Sequence, residues 1–201
     1  MKISILLPYK ENFTIQYPGA VSLFVYDTTK HSAFKETIKI FGNTNYKSFL
    51  SKNYTNIKIS KKILQSTSKF YVNNFIELQK KYLPNLIEIH NRPSYVKQIH
   101  NNLKHKINLY FHNDPLDMNG SRTYDERIEL LNYVNHIIFN SNWSRNRFLI
   151  GIDKNKHSHK MSTIYQSASK VKINFKKKQK IISFVGKLNK AKGYDIFCDA
   201  I

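Results

Sequence analysis

Three lysines fall within Phe184-Val185-Gly186-Lys187-Leu188-Asn189-Lys190-Ala191-Lys192-Gly193. The apolar run Ile181–Val185 leads into this segment and Tyr194–Ile201 follows it at helical spacing. That spacing predicts a strand, a turn and a helix, a junction where backbone N–H groups and the helix dipole attract anions. Ammonium groups at Lys187 and Lys192, with Lys190 as a third, suit a diphosphate better than a single phosphate. A solvated lysine-rich turn is the plainer reading. No G-x-x-x-x-G-K-[ST] is present, so the segment is not a P-loop.

Three polar tripeptides form the second group: His90-Asn91-Arg92, His112-Asn113-Asp114 and Asn140-Ser141-Asn142. Each ends an apolar run. Asp114 and Asp117 fit no paired-carboxylate spacing and read as loop polar groups, with acceptor contact as the sharper alternative. His157 and His159 flank Ser158 without an acidic or cysteine partner, so they read as surface residues and no metal is expected. The single Cys198 excludes a disulfide scaffold and a cysteine-based zinc site, and fits a reducing compartment.

The elements that must hold these groups alternate in type. Candidate strands are Ile3–Leu7, Thr37–Phe41, Leu86–His90, Ile107–His112, His136–Asn140, Ser162–Tyr165 and Ile181–Val185. Candidate helices are Lys62–Leu83, stopped by Pro84, then Pro93–Leu103, Thr123–Val134 and Trp143–Ile150. Residues 46–60 read as a hairpin or a loop plus a strand. Short β-branched runs followed by amphipathic stretches predict βαβ units and a mostly parallel, Rossmann-like doubly wound α/β sheet. Ligands of such sheets bind outside the carboxyl ends of the strands, so the three polar tails are expected on one rim.

Charge is the other conspicuous property. The chain of 201 residues carries 33 Lys+Arg against 13 Asp+Glu, a formal +20, and 28 of the cations are lysine. Residues 1–100 and 101–201 each hold +10 of it, and 176–180 is the one true run. An even basic field favours acidic partners in general: nucleotides, nucleic acid or an anionic lipid surface. The richness in Asn, Ile and Lys together reflects codon composition, which lowers how much function the charge carries. With 41% hydrophobic residues the chain buries a sizeable core, and no apolar run approaches the roughly 18 residues of a membrane span. The stretch Ile3–Leu7 is too short for a signal peptide and reads as a first strand. The basic segment 171–180 reads as a linker. The expected organisation is a domain over 1–170, that linker, and the opening strand and helix of a second domain over 181–201.

In their order, several segments resemble GT-B glycosyltransferases of family 4. The strand, Gly186-Lys187-Leu188 and the later Lys192-Gly193 look like the start of that family's second domain. Lys2–Leu7 with Pro18-Gly19-Ala20 looks like its first strand and glycine-bearing loop. Leu86–Arg92 looks like its "I-x-H" strand end, Leu109–His112 like the strand bearing a donor-facing histidine, and His136–Ser144 like its "S-x-W-S" passage. The resemblance implies that Lys187 and Lys192 bind the diphosphate of a nucleotide-sugar, and that Gly19 lets the backbone approach the sugar-phosphate. It places His112 against the transferred sugar as the catalytic-site residue, orienting the sugar rather than attacking it, in a retaining transfer. His90, Asn91 and Arg92 share the predicted rim and are candidates for acceptor contact. Lysine at 187, where the family usually has arginine, keeps the charge and loses the bidentate fork. Tyr165-Gln166-Ser167 stands where the family commonly has Asn-Gly. Trp143 is expected in core packing, with Arg145 and Arg147 on a solvated face.

The leading expectation is therefore a glycosyltransferase moving sugar from a nucleotide-sugar to a cell-envelope glycan or lipid-linked acceptor, as in lipopolysaccharide or polysaccharide assembly. It would need no cofactor or metal, and would be cytoplasmic, with docking on the inner face of an anionic membrane as a further expectation. A family glutamate segment of the second domain is absent before Ile201, so the chain by itself is expected to be inactive. A basic nucleic-acid-binding module would use the charge and the 27 aromatics, but no RRM, KH or helix-turn-helix signature appears, and no specific nucleic acid is expected. A nucleotide-sugar epimerase of the same fold is the other alternative.

Overall fold

The computed structural model describes residues 1–59, 66–167, 180–186, 188 and 190–201. The chain divides into two compact units, Met1–Ala168 and Ser169–Ile201. The first opens with strand β1 (Ile3–Leu6), helix α1 (Ala20–His31), β2 (Ile38–Gly42) and β3 (Tyr54–Asn56). Then follow α2 (Thr67–Tyr82), β4 (Leu86–His90), α3 (Val96–Leu103), β5 (Lys106–Phe111) and α4 (Tyr124–Tyr133). The unit ends with β6 (His136–Phe139), α5 (Asn142–Phe148), the short α6 (Lys154–His157) and β7 (Met161–Thr163).

All seven strands pair in parallel, in the order β3-β2-β1-β4-β5-β6-β7. The order reverses between β1 and β4, the switch point of the expected Rossmann-like doubly wound α/β sheet. Strand period places alternate residues on opposite faces. One face, Leu6, Phe41, Ile87, Ile89, Ile107, Leu109, Phe111, Ile137 and Phe139, packs against α2, α3 and α4 through Phe75, Ile99 and Leu131. On the other, Ile3, Ile5, Leu7, Ile38 and Ile40 meet Val21 and Val25 of α1. Along β4 and β5 this second face changes from aliphatic to Glu88, His90 and Tyr110, with His112 just beyond β5. That change builds the candidate site.

Local chemistry sets most boundaries. Thr123 and Glu126 close a reciprocal capping box at α4. Leu83 takes a left-handed conformation (φ 52°) and ends α2 just before Pro84; the first residues expected in this helix, 62–65, lie outside the described residues. Pro93 opens a 3₁₀ turn, Pro93–Tyr95, that runs into α3. Residues 46–59 resolve into a loop plus strand β3.

Two expectations are corrected. Helix α1 has no counterpart in the sequence reading, which ran its N-terminus into a loop. Ile181–Val185 is not a strand: it is irregular and mostly exposed, and among the described residues no strand pairs with it. An apolar run becomes a strand only when a neighbour takes its N–H and C=O groups; otherwise water keeps them. The second unit holds a 3₁₀ turn, Lys190–Lys192, and helix α7 (Tyr194–Asp199), with the Phe184 ring edge-on to Tyr194 and tilted against Phe197, 5.5 Å from each. The expected linker residues 171–179 lie outside the described residues.

Candidate functional site

The carboxyl ends of β1, β4, β5 and β6 lie side by side, so the three polar tails share one edge of the sheet. His112 is at their centre. Its backbone N–H donates to Asn91 Oδ1 at 3.2 Å, and its carbonyl accepts from Asn140 Nδ2 at 2.8 Å. Asn91 reaches this position by a left-handed backbone (φ 56°), a conformation that asparagine tolerates better than most residues. The sequence therefore uses both asparagines as brackets that hold the His112 backbone, and Asn91 is itself buried.

The imidazole is gripped as firmly. His112 Nε2 lies 2.9 Å from His90 Nδ1, and His112 Nδ1 lies 3.1 Å from Gln166 Nε2. With the Gln166 amide in this orientation its nitrogen donates, which makes His112 Nδ1 the acceptor and puts the ring proton on Nε2. That proton is donated to His90 Nδ1. His90 must then carry its own proton on Nε2, which faces Glu88 Oε2 at 3.9 Å, beyond hydrogen-bond reach. Tyr110 stacks on His90 (centroids 4.5 Å, 11°), and Phe24 of α1 meets His112 edge-on at 4.9 Å. Burial first, and the neighbouring His90 second, push the His112 pKa down to about 3. At neutral pH it is an uncharged ring, able to orient a hydroxyl but not to protonate a leaving group.

Around this centre the remaining residues are placed as follows. His90 is 1% exposed, so the first residue of its tail is buried where β4 ends. Arg92 is half-buried, one guanidinium nitrogen donating to the Asn91 carbonyl at 2.7 Å. Gly19 is the N-cap of α1 and carries the Glu11 carboxylate against it: an added Cβ would stand 1.9 Å from Glu11 Oε1. That same oxygen accepts from Ser22 N–H at 3.1 Å, so Glu11 caps the helix where an anion would otherwise sit. Lys192 is exposed just before Gly193, and Lys187 lies outside the described residues. A 280 Å³ cavity opens under α1 along the same sheet face, lined by Phe24, Thr29, Glu88, His90, Tyr110 and Ile164.

Four participants were missing from the sequence reading: Glu11, Phe24, Glu88 and the Gln166 side chain. Phe24 and Glu11 were hidden with α1. Glu88 was legible, since it precedes His90 by one strand period. The expectation for Trp143 is corrected too: it is 60% exposed, while Ser144 beside it turns inward and bonds Asn140 Oδ1. Arg147, expected to be solvated, pairs with Asp114 at 2.9 Å through Nη2 and 3.0 Å through Nε, and Asp114 also caps the next turn through Leu116 N–H. Among the described residues no cluster of three His, Cys, Asp or Glu side chains could hold a metal, and no helix is long and apolar enough to cross a membrane.

No known protein-family profile matches the chain, and no curated protein matches it in sequence. Solved structures do match in fold. HepE of Anabaena, in complex with UDP and glucose, aligns over 82% of this chain at 12% identity with a TM-score of 0.53. The same protein with UDP-glucose aligns over 81% at 13% identity and 0.50. The UDP-GlcNAc 2-epimerase of Neisseria meningitidis, bound to UDP-GlcNAc, aligns over 81% at 13% identity and 0.50. The chain spans 43 to 46% of the length of these structures. At such identities the likeness is one of fold alone, that of an α/β Rossmann-like domain.

Proposed function

We propose that the chain is the acceptor-side portion of a nucleotide-sugar-dependent glycosyltransferase. The observation that carries this reading is the neutral, doubly held His112 at the carboxyl edge of β5, its Nδ1 lone pair turned towards the exposed Gln166. A hexose hydroxyl can take the place of the Gln166 amide and donate to that nitrogen, which orients the sugar without any proton leaving the protein. In retaining transfer, departure of the nucleotide is helped by positive charge on the diphosphate rather than by a protein acid. Lys187 and Lys192 of the second unit are proposed for that charge. The transferase acts on a cell-envelope glycan or lipid-linked acceptor, and the basic surface suits peripheral attachment to an anionic membrane. The His90-Asn91-Arg92 turn borders the acceptor side.

An epimerase on the same fold is the second reading, favoured by the likeness to the Neisseria protein. Inverting a carbon that carries hydrogen breaks a C–H bond, and so needs a base and an acid. The rim groups fit this less well: His112 is neutral, Glu11 caps α1 and Asp114 is paired with Arg147. Incubation of the chain with UDP-GlcNAc in D₂O separates the two readings. The transferase reading predicts saturable UDP-sugar binding, weakened by Lys192→Ala, and no deuterium at C2 even in a version extended through the second domain. Deuterium at C2 would establish the epimerase, and tight salt-sensitive RNA binding without nucleotide affinity would overturn both.

A further inference from the structure

Arginine is scarce in this chain: five of 33 cations, at positions 92, 122, 127, 145 and 147. In a composition so tilted to lysine, a retained arginine marks a place where the planar fork does what a point charge does not. Two have structural duties. Arg127 is buried and donates to the carbonyls of Arg122 and Ile150, and Arg147 pairs with Asp114. Arg92 and Arg122 are different. Both line one polar cavity of 320 Å³, beside the carboxyl end of β4 and on the side of the sheet covered by α2 and α3.

The cavity is furnished for an anion that also carries hydroxyls. Arg92 is steadied by Nη1 on the Asn91 carbonyl at 2.7 Å, and Tyr95 and Ser68 line the cavity beside it. One Arg122 nitrogen leans on the Asp117 carbonyl at 3.4 Å, leaving the rest of its fork for a ligand. Helix α2 starts at this cavity with no side-chain cap and no acidic residue in its first turn, so its N–H groups add to the positive field. Asn119 supplies an amide. Asp117 also lines the cavity, and among the described residues its carboxylate enters no ion pair. Two guanidinium forks with one carboxylate leave a net positive site in which the forks take a phosphate or carboxylate, and Asp117 accepts from a neighbouring hydroxyl.

We infer that this cavity is a subsite for a hexose unit bearing a phosphate or a carboxylate, so that the acceptor glycan is acidic. The role as acceptor subsite rests on the transferase reading; the binding of the acidic sugar does not. The test uses the whole chain with ¹⁵N-labelled arginine and histidine, titrated separately with glucose 6-phosphate, glucuronate, glucose and inorganic phosphate.

The expected result is saturable movement of the Arg92 and Arg122 Nε–Hε signals with one or both acidic sugars and not with glucose. Arg122→Lys, at an exposed position, should weaken binding about tenfold or more, the scale of a lost charge-assisted pair. Arg92→Lys should do the same if it folds. Unmoved arginine signals would overturn the subsite. So would inorganic phosphate binding as tightly as glucose 6-phosphate, or affinity unchanged in Arg122→Lys, which would mean that lysines hold the anion. Titration of the same sample with UDP-glucose, read at the His112 ring, reports the donor reading separately, so that either can fail without the other.

Discussion

His112 offers a stability test that needs no substrate. Its folded pKa of about 3 lies below the ordinary 6.5 of an unfolded histidine. The unfolded chain therefore binds a proton that the folded chain refuses, at every pH between those values. The sign follows: this contribution is complete above 6.5 and is lost as the pH falls, at about 1.4 kcal/mol per unit. Between about pH 7 and about pH 5.5 the loss integrates to about 1.3 kcal/mol, and to about 1 kcal/mol once the partial exposure of the ring is allowed for. With a urea slope of about 2 kcal/mol/M, the unfolding midpoint should fall by about 0.5 M on acidification. Burial also lowers the pKa of His136 and His157, so the readout is a difference. In His112→Gln, which cannot titrate, the fall should be smaller by that 0.5 M, since His136 and His157 act equally in both proteins. Equal falls in the two proteins would refute the buried, neutral ring.

Other perturbations probe the supports of the site. Gly19→Ala places a methyl group against Glu11 and breaks the cap on Ser22 N–H, costing about 1 kcal/mol in urea unfolding; Glu11→Ala should cost as much, and the double variant should fall short of the sum. Asn91→Ala loses the bond to His112 N–H and strains the left-handed backbone, whereas Asn91→Gly loses only the bond, so the alanine variant should melt a few °C lower by calorimetry. Asp114→Ala removes the partner of Arg147 and the cap on Leu116 N–H together, and should destabilise by about 1–2 kcal/mol in denaturant titration.

Strands announced themselves where burial is on both faces: Leu86–His90 and His136–Asn140 read as apolar runs with polar stops, and both appear within a residue of those bounds. Helix α1 did not, because the buried stripe Val21, Ser22, Val25 and Thr29 mixes hydroxyls with aliphatics, and its cap comes from Glu11, eight residues before Gly19. Its signals were present in Gly19 before the apolar spacing and in Lys30-His31 at the end. Ile181–Val185 failed in the opposite sense, since composition describes what a strand tolerates and not whether a neighbour pairs with it. The tails were legible as one rim. The His90–His112 contact was not, because it depends on β4 and β5 being neighbours, in a register that sets His90 opposite Tyr110 and His112 one strand period further on. Exposure of Trp143 was hidden for a related reason: the helix turns Ser144 and Phe148 inward, and the small Ser144 beside Trp143 is engaged by Asn140.

The central claim is that His112 presents an acceptor nitrogen to the sugar of a nucleotide-sugar. It is tested most directly by titrating the ¹⁵N-histidine-labelled chain with UDP-glucose at about pH 7 and following the ring nitrogens. The account predicts that His112 is an Nε2–H tautomer before and after addition, and that its Nδ1 signal moves saturably as a hydroxyl replaces the Gln166 amide. It also predicts that UDP alone leaves that nitrogen unmoved. An Nδ1–H tautomer, or an Nδ1 signal that ignores the sugar, would contradict it.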